Sequence, residues 1–183
     1  MTFLARHHRM ALLLLGLLLL DLILKAWAVR TLPGLAPQPL IPGLLALGYT
    51  LNTGMAWGLL GGLTLPLAGL RLLVGAGILV ALGLGRVPRG LQGPLALLAA
   101  GALGNAVDGL TRGAVVDYLT SPLLDRLSET LSGRPFPIFN LADVYVSAGV
   151  LWLLVQSGWT ERRSRRPALP ADPMPIHPSK ETP

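Results

Sequence analysis

Between Gly101 and Leu119 the chain reads GALGNAVDGLTRGAVVDYL, an apolar run of small residues that then carries Asn105, Asp108 and Asp117. Charge is costly in hydrocarbon, so residues of this kind line an interior, pair with a partner or take part in chemistry. A second stretch, Phe139-Asn-Leu-Ala-Asp143, opens the last apolar segment with another polar pair. A fold that accepts both stretches is expected to bring Asp117 and Asp143 to one membrane-embedded site.

Lipid as the solvent follows from composition. The 183 residues are 52% hydrophobic and only 13% charged, about half the charged fraction of an ordinary soluble domain. There is no Cys, which removes disulfides, thiolate catalysis and cysteine metal sites. The three His (His7, His8 and His177) lie near the termini, away from the apolar segments. Any chemistry therefore falls to Asp, Glu, Ser, Thr, Lys or Tyr, with no metal and no cofactor expected. The net charge of +6 could suggest nucleic acid. The Arg residues instead cluster at apolar boundaries and in the tail, as membrane topology signals do, so no nucleic-acid partner is expected.

The pattern predicts an all-α polytopic membrane protein with four spans, at about 9–29, 69–85, 92–108 and 138–159. Residues 1–160 form one membrane-embedded domain and 161–183 a disordered tail. The basic start, apolar run and Ala26-Trp-Ala28 mimic a cleavable secretory signal. Asp21 and Lys25 interrupt that region before the supposed cleavage site, and a helix can continue to about Val29. Four residues apart, Asp21 and Lys25 share a helix face and can pair, which reads as a structural pair. The Gly75-x-Gly77 and Gly83-x-Gly85 pairs suit close helix packing. So do the small residues from Ala99 to Gly104 in the third span.

Residues 30–66 hold no long span, being broken by Pro33, Pro37, Pro39 and Pro42. Strand character from Leu47, with a turn at Asn52-Thr-Gly54, predicts a small sheet-like platform with Asn52 on a substrate-facing loop. Residues 110–137 are read as an outer loop. It contains an amphipathic helix with Ser121 as N-cap, Pro122 at the first position and Gly133 as the stop. Leu123, Leu124, Leu127 and Leu131 would face the membrane surface, in a connector or a lid. One side of the membrane collects Arg6, Arg9, Arg86, Arg89, Arg162, Arg163, Arg165 and Arg166. The positive-inside bias makes that side cytoplasmic, with both termini inside and both carboxylates near the outer ends of the third and fourth spans.

Two carboxylates in a low-dielectric site cannot both ionise cheaply, so they share a proton. On spacing alone three readings stay open: a proton or cation relay, a structural hydrogen-bond centre, or a hydrolase that activates water with the charged acid and donates from the protonated one.

The motifs Asp21-x-x-x-Lys25, Asn52-Thr-Gly-Met-Ala-Trp-Gly58, Gly101-Ala-Leu-Gly-Asn105-x-x-Asp108, Gly113-x-Val-Val-Asp117-Tyr and Phe139-Asn140-x-Ala-Asp143 closely resemble lipoprotein signal peptidase (signal peptidase II). The resemblance runs from Asp21 to about Gly149 with the motifs in the family's order. It implies a bacterial inner-membrane aspartic endopeptidase that cuts prolipoproteins before a diacylglyceryl-modified cysteine. The substrate and membrane lipid would be its partners, and the platform and amphipathic helix would be periplasmic. Nothing in the chain demands more than a monomer. Asp117 and Asp143 match the catalytic pair. Asn105, Asp108 and Asn140 match supporting or substrate-holding positions, Asn52 a substrate loop and Asp21 a first-helix supporting acid. The family's usual Arg after the acid matching Asp108 is replaced by Gly109, with Arg112 as a possible substitute. The outer loop also looks longer than usual.

Overall fold

The computed structural model describes the backbone of residues 3–164 and the side chains of residues 9–159. Most of the tail expected from residue 161 lies outside the described residues. Four helices are long and apolar enough to cross a membrane: α1 (Phe3–Thr31), α2 (Thr64–Gly83), α3 (Arg89–Arg112) and α5 (Leu141–Ser164). At 1.5 Å per residue each can cover about 30 Å of hydrocarbon. Leu12, Ile23, Leu73 and Leu151 are all more than 60% exposed, an outer surface suited to lipid tails and not to water.

α3 is the middle of the bundle, packing against α1, α2 and α5. Half of its span is buried, against about a fifth of each of the others. Its small residues allow this, since Ala96, Ala99, Ala100 and Ala106 have no exposed surface. A side chain at Gly101 would run into the Ala142 carbonyl of α5, and one at Gly104 into the Asp21 carboxylate of α1. Small residues let backbones approach where lipid offers no hydrophobic drive between helices. Of the glycines expected to pack α2, Gly75 does so against Leu103, whereas Gly77 and Gly83 face open space. Pro94 interrupts the α3 ladder and leaves the Gly90 carbonyl without its helical donor. Gln156 Nε2 of α5 donates to that carbonyl at 3.2 Å, so the acceptor freed by the proline has a partner on the neighbouring helix.

A small antiparallel sheet sits at one end of the bundle, in the order β1 (Gln38–Ile41), β2 (Leu45–Asn52), β3 (Val115–Thr120). The platform expected around Leu47 is thus present, but its third strand comes from the segment read as an outer loop. Asp117 accordingly lies on a strand and not at the end of the third helix: it stands opposite Thr50, with Val115 opposite Asn52. α2 also starts five residues before its expected boundary, and α5 begins at Leu141 because Phe139 is taken up by the sheet. Phe139 exchanges backbone hydrogen bonds of 2.8 Å with Leu119.

The amphipathic helix α4 (Pro122–Ser132) has the predicted caps. Leu124 N donates to Ser121 Oγ at 3.3 Å, and Gly133 turns left-handed with φ 69°. Ser121 Oγ in turn donates to Leu44 O at 2.6 Å, tying the start of α4 to the turn between β1 and β2, and Phe136 N donates to Asp125 Oδ1 at 3.1 Å, folding the following loop back onto the helix. Leu123, Leu127 and Leu131 are exposed.

Candidate active site

Asn140 is the N-cap of α5 and Asp143 its third helical residue, and the two cap each other. Asp143 N donates to Asn140 Oδ1 at 3.0 Å, and Asn140 N donates to Asp143 Oδ2 at 3.0 Å. This reciprocal pair is a capping box, so the geometry of a helix start fixes the carboxylate. The next free donor of that turn, Ala142 N, donates to Asp21 Oδ1 at 3.0 Å. Asp21 therefore holds α1 to the start of α5.

β3 supplies the second acid. Val116 N donates to Asp108 Oδ2 at 3.1 Å, which binds the strand to the end of α3, and Asp117 is 2% exposed. Asn140 Nδ2 donates to Asp117 Oδ1 at 2.6 Å, and Asn52 Nδ2, from the end of β2, donates to Asp117 Oδ2 at 3.1 Å. Asn105 Nδ2 donates to Asp143 Oδ1 at 2.9 Å, and Asn105 Oδ1 accepts from Asn140 Nδ2 at 3.1 Å. Two amides thus link the two carboxylates, and each of the four acid oxygens accepts a hydrogen bond.

Lys25 sets the direction of that link. Its Nζ donates to Asn105 Oδ1 at 2.7 Å, which leaves the Asn105 amide nitrogen to face Asp143. The same ammonium lies 2.9 Å from Asp21 Oδ2 and 3.5 Å from Asp108 Oδ2. A fully buried lysine is tolerable only with such company. Burial is the main cause that raises the Asp117 carboxyl from its ordinary 3.8 to about 7, with the negative charge of Asp143 second. Donation from Asn52 and Asn140 and the positive charge of Lys25 oppose the rise.

Asp117, Asp143, Asn52 and Asn105 line one cleft of about 260 Å³. Its apolar wall includes Trp57 and Phe136, whose rings meet edge to face with centroids 5.8 Å apart. Trp57 belongs to the loop after β2 and has a left-handed backbone (φ 57°, ψ 22°) that bulky residues seldom adopt. Asn52 Oδ1 accepts from Gly54 N at 2.9 Å, so one side chain orients both this loop and Asp117.

Asp21 and Asp108 lie behind the cleft, in the Lys25 cluster. Arg112 is elsewhere: its Nε is 3.1 Å from Asp108 Oδ1, its side chain is 40% exposed, and it does not line the cleft. The cation on the cleft wall is Arg71 of α2, which lies inside the span expected at about 69–85. A lone Arg within an apolar span was the signal for it.

A bundle of four apolar helices, with a platform that closes two linked carboxylates into a cleft, defines a polytopic membrane protein with a paired-acid site. The chain belongs to the family described as Signal peptidase (SPase) II, whose profile matches residues 13–159. The lipoprotein signal peptidase of Deinococcus radiodurans is 48% identical over 161 residues, covering 87% of this chain and 84% of that protein. The lipoprotein signal peptidase of a Cyanothece species is 38% identical, covering 86% and 88%. Among solved structures, a bacterial membrane enzyme determined by the in meso method at 2.3 Å resolution superposes with a TM-score of 0.73 at 23% identity. The match covers 88% of this chain and 94% of that one, a likeness of fold.

Proposed function

We propose that this protein is an aspartic endopeptidase that removes signal peptides from prolipoproteins by cutting before the diacylglyceryl-modified cysteine. The observation that carries this reading is the amide-bridged pair Asp117 and Asp143 on the wall of one cleft. Family membership supports the substrate.

In the proposed reaction, Asp117 carries the shared proton and Asp143 acts as the base. Asp143 takes a proton from a water whose oxygen adds to the scissile carbonyl carbon, while Asp117 gives its proton to the carbonyl oxygen. Collapse of the resulting gem-diol breaks the carbon–nitrogen bond. In the collapse one gem-diol hydroxyl returns its proton to Asp117 while Asp143 gives its proton to the departing nitrogen, which restores the dyad and leaves a carboxylic acid, ionised in water, on the signal peptide and a free amine on the cysteine. Asn105 and Asn140 hold the acids in line, and Lys25 fixes the direction of the Asn105 amide. The enzyme would work as a single chain in the bacterial inner membrane, with both termini cytoplasmic and the cleft near the outer face. There a lipid-modified substrate meets the dyad at the depth of its scissile bond.

The test is cleavage, in detergent or lipid, of a diacylglyceryl-modified prolipoprotein and of the same substrate without its lipid. The wild type should cut only the lipidated form, and Asp117→Asn and Asp143→Asn should each lose at least ~10³-fold, as variants lacking one member of a catalytic unit do. An intact lipidated substrate, or cutting by either variant at the wild-type rate, would leave the acid pair as a proton relay instead.

A further inference from the structure

Arg71 sits seven residues into an apolar helix, where a permanently charged group is expensive and calls for a role. Among the described residues it is the one Lys or Arg on the wall of the cleft that holds both carboxylates. It makes no ion pair with either: the carboxylates within ion-pair distance of a cation, among the described residues, are Asp21 and Asp108. Its guanidinium is only partly engaged. Nη2 donates to Gly54 O, in the loop after β2, at 3.4 Å, whereas Nη1 is buried without a hydrogen-bond partner. A buried donor on a charged group carries its desolvation cost until it finds an acceptor.

The packing that delivers Arg71 is specific. Gly109 of α3 faces Ala68 of α2, and a Cβ added at Gly109 would come within 2.7 Å of the Ala68 Cβ. Glycine at 109 thus lets α2 close on α3 at Ala68, which has no exposed surface. Arg71, three residues along α2, lies on the neighbouring part of that helix face.

We propose that Arg71 binds substrate, its Nη1 donating a hydrogen bond to one backbone carbonyl of the extended peptide segment that lies beside Asp117 and Asp143. The inference rests on the proteolytic reading above. A neutral carbonyl suits the site better than an anion, because the negative charge of Asp143 is felt in the same cleft and disfavours a second one. The planar fork of Arg allows one nitrogen to keep the loop carbonyl of Gly54 while the other takes the substrate. The point charge of Lys does not reproduce that geometry.

The experiment compares wild type, Arg71→Gln and Arg71→Lys on a diacylglyceryl-modified prolipoprotein peptide. It also uses peptides in which single amides on either side of the scissile bond are replaced by a trans-alkene that lacks the carbonyl. Arg71→Gln should raise KM about 10–100-fold, the range of one hydrogen bond to a charged group, with a smaller change in kcat. Arg71→Lys should fall between. One alkene peptide should lose a similar factor with wild type and lose nothing further with Arg71→Gln, because the contact is already gone. Gly109→Ala, which displaces α2 and keeps the guanidinium, should raise KM in the same direction. Wild-type KM in Arg71→Gln would overturn the inference. So would losses that multiply for every alkene peptide, which would mark Arg71 as a support for the loop alone. A wild type that cuts none of the peptides would instead overturn the proteolytic reading itself.

Discussion

At the scale of single residues, polar side chains in this site have little freedom of direction. Asn52 must present Nδ2 to Asp117, because its Oδ1 is occupied by Gly54 N. Its donation favours the charged carboxylate and so holds the Asp117 pKa below what burial alone would set. Asn52→Ala removes that donor, so the Asp117 carboxyl, already near 7, should rise further. The sign for activity follows from the proposed role. If protonated Asp117 is the active form, kcat/KM falls as pH rises through its pKa, so the variant's alkaline limb should move to higher pH. Its maximal rate should drop on the order of 10-fold as the acid loses its orientation. An unmoved or lowered alkaline limb would remove Asp117 as the proton carrier. The carboxylates and their asparagines were legible in the sequence because polar groups at the edges of apolar runs are costly and therefore few. Locally, Asn140 and Asp143 were read only as a polar pair at the start of an apolar segment; that they form the capping box that aims Asp143 appears once α5 is seen to start there. Arg71 went unread as a site residue because positive charges in such a chain are ordinarily counted towards topology.

At the scale of elements, what the chain carries locally was readable and what it makes by distant pairing was not. Hydropathy runs mark four spans, and the Ser121, Pro122 and Gly133 signals bracket α4, because caps and apolar runs are contained in a few turns. β3 eluded the same reading. Val-Val-Asp-Tyr-Leu suits a strand only beside a partner, and that partner, β2, lies more than sixty residues earlier. Small residues were read correctly as packing devices in α3, though not evenly in α2. That difference makes a direct test. Gly104→Ala should press a methyl group onto the Asp21 carboxylate and disturb the cap that Asp21 gives α5. Unfolding in detergent should show a loss of about 1–3 kcal/mol, the usual cost of overpacking. Gly77→Ala points into open space and should be neutral or slightly stabilising, since Ala is the better helix former. Equal effects at the two positions would mean that α1 and α3 do not meet through Gly104.

At the scale of the whole molecule, the proposed function requires one orientation. A lipid-modified substrate on the outer leaflet can reach the dyad only if the platform, α4 and the cleft lie on that side. The basis for that orientation is the distribution of Arg. Arg86 and Arg89 flank the turn between α2 and α3, and in the sequence Arg6 and Arg9 precede or open the first apolar run while Arg162, Arg163, Arg165 and Arg166 follow the last. The opposite side has Arg30 and Arg112 at the ends of α1 and α3, Arg71 within α2, and Arg126 and Arg134 in and after α4, a spread over many more residues in which positive charge counts for less. The absence of Cys from the chain makes a clean topology experiment possible without removing native thiols. Pro88→Cys places a thiol in the exposed turn between α2 and α3, and Thr130→Cys places one on the exposed face of α4. In intact spheroplasts a membrane-impermeant maleimide should label the Thr130 variant fully. It should label the Pro88 variant only after the membrane is opened. The reverse pattern would put the cleft on the cytoplasmic side, where a substrate displayed on the outer leaflet cannot enter. The substrate assignment would then fail even if both carboxylates proved essential.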